Sequence, residues 1–119
     1  MAEIPKQMQD KLAQFQTIQS QLQMIMAQKQ QLILTVADIE NAVKELGKSG
    51  GGKVYRMVGP LLVETTKEES EKDLSEGKET AETRIKVLEK QEKKLNEKFE
   101  ELRTEIQEMI REKGGGLDM

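Results

Sequence analysis

Cysteine, histidine and tryptophan are absent from the chain, and aromatic residues amount to two phenylalanines and one tyrosine. The missing cysteine excludes disulfides, a thiolate nucleophile and thiolate metal sites. With histidine gone as well, most zinc chemistry and the usual general base are excluded. So few aromatics in a chain that is 34% charged can bury only a thin apolar seam. No apolar run approaches membrane-spanning length and the N-terminus carries no secretory pattern, so a cytoplasmic protein is expected, with no membrane partner. The net charge of −3 argues against general nucleic-acid binding.

What is present is Glu, Lys, Gln and Leu in helical periodicity, the mark of long helices or a coiled coil. The 119 residues make a single domain, 1–119. From Pro5 the apolar positions run Met8, Leu12, Phe15, Ile18, Leu22, Ile25, then Leu32, Val36, Ile39, Val43 and Leu46. From Ile18 onward the steps alternate 4 and 3, with Lys29 filling the one polar place: a heptad seam. Leu12, Phe15 and Ile18 are spaced 3 and 3, so the heptad stammers there. Pro5 suits a first helical position and Gly47 a terminator, giving a helix over about 5–47 and a glycine-rich joint over 48–52.

A second seam reads Leu74, Lys78, Ala81, Ile85, Leu88, Glu92, Leu95, Phe99, Leu102, Ile106 and Met109. Thr66 with Glu69 has the form of a capping box, so this helix is expected over about 67–112, weakened internally by Gly77 and followed by a flexible tail, 113–119. Between the helices, Val54–Val58 and Leu61–Val63 are short, rich in β-formers and parted by Gly59-Pro60, which predicts a β-hairpin over about 53–65.

The fold class follows: all-α dominated, a long antiparallel two-helix coiled coil with one β-hairpin at the helix–helix connection. The two seams match when paired residue numbers sum to 117, setting Ile18 level with Phe99, Leu22 with Leu95, Leu32 with Ile85, Val36 with Ala81 and Val43 with Leu74. The hairpin residues Val54, Tyr55, Met57, Val58, Leu61, Leu62 and Val63 put apolar side chains on both faces. A lone two-stranded ribbon with open edges is marginal, so these are expected to be assembly residues that pair with other chains.

No catalytic, cofactor-binding or metal-ligating residue is expected, and the chain reads as a non-enzyme. Ala42–Ser49 matches a loose phosphate-loop pattern, yet the order is helix, glycine run, strand, the reverse of what a phosphate cradle needs. The many carboxylates are expected to form a solvated face, as are the glutamines flanking the first seam (Gln14, Gln16, Gln19, Gln21, Gln23, Gln28, Gln30, Gln31). At the ends remote from the hairpin, Ile4, Met8, Leu12 and Phe15 meet Ile106, Met109, Ile110 and Leu117. That is more apolar surface than a two-helix seam can cover, and flexible Met-bearing surfaces suit promiscuous partners, so these residues are expected to bind unfolded client proteins.

The heptad helices, the glycine-rich joint and above all Val54-Tyr-Arg-Met-Val-Gly-Pro-Leu-Leu-Val63 resemble the prefoldin family in its beta class, over nearly the whole chain. The single hairpin marks the beta class, since the alpha class has two. The resemblance implies a subunit of an ATP-independent chaperone, a hexamer of two alpha and four beta subunits whose hairpins build β-barrels. It further implies that the coiled-coil ends grasp non-native proteins and deliver them to a chaperonin, with no cofactor. A structural coiled-coil adaptor with one fixed protein partner is the alternative reading.

Overall fold

The computed structural model describes residues 4–113. It contains α1 (Lys6–Lys48), β1 (Val54–Val58), β2 (Leu61–Thr65) and α2 (Lys67–Lys113). Two long helices with an antiparallel two-stranded hairpin between them are the architecture that the heptad spacing and the Gly-Pro turn predict. The chain divides into two units, one of residues up to Gln28 with those from Leu88 onward, the other Lys29–Val87. We call them the terminal unit and the hairpin unit. Leu117 and the tail beyond Lys113 lie outside the described residues.

In the terminal unit the helices run antiparallel. Lys11 pairs with Glu105, while four residues further along α1, Phe15 meets Phe99. The core is a single stripe: Met8, Ile18, Ile25, Leu102 and Ile106 are buried, and Leu102 is only 1% exposed. The two phenyl rings stack with centroids 4.4 Å apart, an arrangement that contributes about 0.5–1.5 kcal/mol beyond area burial. Phe99 thus stacks on Phe15, one turn before the Ile18 that the sum-117 register sets level with it. The 3–3 spacing at the stammer keeps Phe15 on the seam side, and its long ring reaches the next layer.

The hairpin unit has a sparser core. Ala81 is buried, and Leu32, Val36, Ile39, Leu46, Leu74 and Ile85 are half-buried. Val43, placed on the seam by its spacing, is 44% exposed. Next to the hairpin a hollow of about 520 Å³ is lined by Ala42, Leu46, Val54, Tyr55 and Leu74, among others.

Each helix terminus has a local cause. At the start of α2, the Glu69 N–H donates to the Thr66 hydroxyl at 3.1 Å, satisfying one of the helix's orphan amides. The reciprocal arm of the box differs from expectation: the Glu69 carboxylate accepts from the Thr65 hydroxyl at 3.0 Å. Acidic Glu68 and Glu69 in the first turn also suit the positive end of the helix dipole. α1 runs through Gly47 to Lys48, where Ser49 donates both its N–H and its hydroxyl to the Leu46 carbonyl. The positive φ that releases the chain falls on Gly51, at 92°, rather than on Gly47. Ala42–Lys48 is therefore a helix C-terminus, whose leftover groups are carbonyls and not the N–H donors a phosphate requires.

Gly59 has φ 57° and is followed by Pro60, whose ring fixes φ near −65°. Positive then negative φ is the pattern of a primed two-residue turn, and it closes the register Val58↔Leu61, Met57↔Leu62, Arg56↔Val63.

Candidate functional site: the hairpin and the paired helix ends

The two groups of residues singled out in the sequence fall in different units. In the hairpin unit, alternation along each strand sends Tyr55, Met57 and Leu62 to one face of the ribbon and Val54, Val58, Leu61 and Val63 to the other. Val54 is half-buried, and the rest are exposed, Met57 most of all at 73%. Both faces are thus apolar and uncovered. Two ion pairs tether the ribbon: Lys53 to Glu64 across the strands at 3.6 Å, and Arg56 to Asp73 on α2 at 3.0 Å. Both are solvent-exposed, so each contributes no more than about 1 kcal/mol and cannot replace a packed face.

In the terminal unit, the start of α1 and the end of α2 share one end, as the antiparallel pairing requires. Ile4 is 49% exposed and Ile110 40% exposed, while Leu12, Phe15 and Met109 are half-buried. Met8 and Ile106 were expected in the client-binding group, yet both are buried between the helices of this unit. A coiled coil covers one stripe per helix, and these two occupy it. The apolar surface left open to a partner at this end is correspondingly smaller than the sequence list.

Sequence reasoning missed a further set. Met24 and Met26 in the terminal unit are 62% and 58% exposed, and Ile33, Leu34 and Val87 in the hairpin unit are also open to solvent. The available signal was negative: these residues fall off the 4–3 seam, and an apolar residue off the seam has no facing helix to cover it. The segment of α1 that holds Met24 and Met26 carries no charge from Leu12 to Gln28.

Among the described residues no buried side-chain nitrogen or oxygen lacks a partner, and no group of three acidic or metal-ligating side chains could hold a metal. Among the same residues, no helix is long and apolar enough to cross a membrane.

Two long helices joined by a β-hairpin with two uncovered apolar faces define the class of protein by fold. Comparison with known proteins gives the family. The model of the family described as prefoldin subunit matches residues 9–113. A prefoldin subunit beta of Archaeoglobus fulgidus is 41% identical over 116 residues, spanning 97% of this chain and all of the relative. One from Thermococcus onnurineus is 42% identical over the same length and the same shares. The crystal structure of the prefoldin beta subunit from Thermococcus strain KS-1 superposes with a TM-score of 0.81 at 42% identity, covering 93% of this chain and 98% of that one. The chain belongs to the prefoldin family and sides, within it, with the subunits named beta.

Proposed function

We propose that the chain is one subunit of a hetero-oligomeric, ATP-independent chaperone that holds non-native proteins and passes them to a chaperonin, and that it is neither an enzyme nor a cofactor carrier. The observation that carries this reading is the hairpin, apolar on both faces with two unpaired edges. Such a ribbon is stable only when strands of neighbouring subunits extend and cover it, which fits a body shared with an alpha-type partner, two alpha subunits to four beta. Val54, Tyr55, Met57, Val58, Leu61, Leu62 and Val63 are its assembly residues.

Capture falls to the open end of the terminal unit, where Ile4 and Ile110 are exposed beside half-buried Met109, Leu12 and Phe15. Leu117 is assigned to the same surface on sequence grounds. Covering one such side chain is worth on the order of 1.5–3 kcal/mol, and several subunits acting together retain a client by avidity. The test is Ile4→Glu combined with Ile110→Glu in the complex assembled with an alpha-type subunit. Sedimentation should show the same oligomer, and suppression of aggregation of a denatured protein should fall sharply. Full holding by that variant would refute the assignment of the capture surface.

A further inference from the structure

The terminal unit is polarised in a way that the coiled coil does not require. Along α1, Leu12–Gln28 is uncharged, and Gln21, Met24 and Gln28 follow one another at steps of 3 and 4, so they form a row on one face. That row borders a groove of about 480 Å³ whose other wall includes Lys94 and Leu95 of α2. A second hollow, beside Thr17 and Ile18, is lined on the α2 side by Lys98. No carboxylate lines either space. Glu89, Glu97 and Glu100 line a separate, mainly acidic hollow along α2, which also holds Lys93 and Asn96. Lys90, Lys94 and Lys98 lie four residues apart and share one face of α2, from which Lys94 lines the groove and Lys98 the second hollow.

We propose that this groove is a second binding surface for non-native protein, selective for extended apolar segments that carry carboxylates. Met24, 62% exposed, offers a flexible apolar contact. Gln21 and Gln28 can donate to and accept from an extended backbone whatever its side chains. The lysine row favours acidic side chains of the segment and repels basic ones. The proposal rests on the holding role above and adds to it a location and a charge preference.

The test uses the oligomer assembled with its alpha-type partner and two labelled peptides with one apolar core, flanked either by glutamates or by lysines. Fluorescence anisotropy should show the Glu-flanked peptide binding about fivefold more tightly at low salt, with the gap closing as salt screens the exposed charges. Lys94→Glu with Lys98→Glu should reverse the order. Met24→Glu should weaken both peptides, about tenfold for losing one buried apolar side chain and further for the Glu-flanked one, which the new carboxylate repels. Asn96→Glu, the same charge change in the separate acidic hollow, should alter neither. Equal binding of the two peptides, or an order unchanged by the double reversal, would overturn the proposal. So would concentration-dependent self-association abolished by Met24→Glu, which would give the groove to a second copy of the chain. Should the unmodified oligomer bind peptides but fail to hold any denatured protein, the holding role falls. Should it hold denatured protein without a charge preference, only the groove assignment falls.

Discussion

Gly77 lies inside α2 in the hairpin unit, where glycine is costly because it has the most backbone freedom to lose on folding. Its φ is not positive, so no left-handed conformation demands glycine, and a Cβ built there meets only the Ile39 Cδ1, at 3.5 Å. That distance is ordinary van der Waals contact, so an added methyl gains a neighbour without displacing one. Gly77→Ala should therefore stabilise through two effects. Replacing glycine in a helix interior contributes about 0.5–1 kcal/mol, in part through the unfolded chain. A half-covered methyl against Ile39 adds roughly 0.4 kcal/mol, half the value of a fully buried one. The sum is about 1–1.4 kcal/mol, which for a chain of this size raises the melting midpoint by about 4–6 °C. Far-UV circular dichroism melts would measure it, at one fixed protein concentration because association shifts the midpoint. Gly47→Ala is the control: a Cβ there meets nothing within 4 Å and the residue is one from the end of α1, so its gain should be smaller. An unchanged or lowered midpoint for Gly77→Ala would refute this reasoning, since even without the Ile39 contact the lost backbone freedom of glycine should raise it.

Further outcomes follow from the same geometry. Changing Val58 and Leu62 together to Asp places a charge on each face of the hairpin, and sedimentation should then show the oligomer replaced by free subunits that remain helical; an intact complex would refute the assembly role. Leu102→Ala removes the most deeply buried side chain of the terminal unit and should cost about 2–4 kcal/mol in denaturant unfolding, whereas a loss below about 1 kcal/mol would mean the stripe is loosely packed. Thr66→Ala should cost about 1 kcal/mol and increase amide exchange in the first turn of α2, since the Glu69 N–H loses its acceptor.

The features readable from the sequence were those set by local or periodic rules. Alternating 4 and 3 steps fix which face of each helix is apolar, and Gly59-Pro60 between two β-rich runs fixes the turn. The details that escaped depend on which side chain faces which across two helices. Phe99 stacks on Phe15 because a ring reaches across layers, and no spacing rule carries side-chain length. Met8 and Ile106 look like surplus apolar residues beside a stammer, yet the paired helices enclose both. Val43 has the spacing of a seam residue and is nevertheless 44% exposed. The neutral row of α1 was visible as a run of glutamines, but its significance depends on the lysines and leucine that α2 sets beside it.

The central claim is that this family member serves a holding chaperone and not a fixed-partner scaffold. Light scattering of two unrelated denatured proteins diluted into buffer without nucleotide tests it most directly, with the chain alone and with the chain assembled with an alpha-type subunit. The account predicts that the assembled oligomer keeps both proteins from aggregating without ATP. Aggregation of both at a molar excess of the oligomer, or protection of one and not the other, would contradict it.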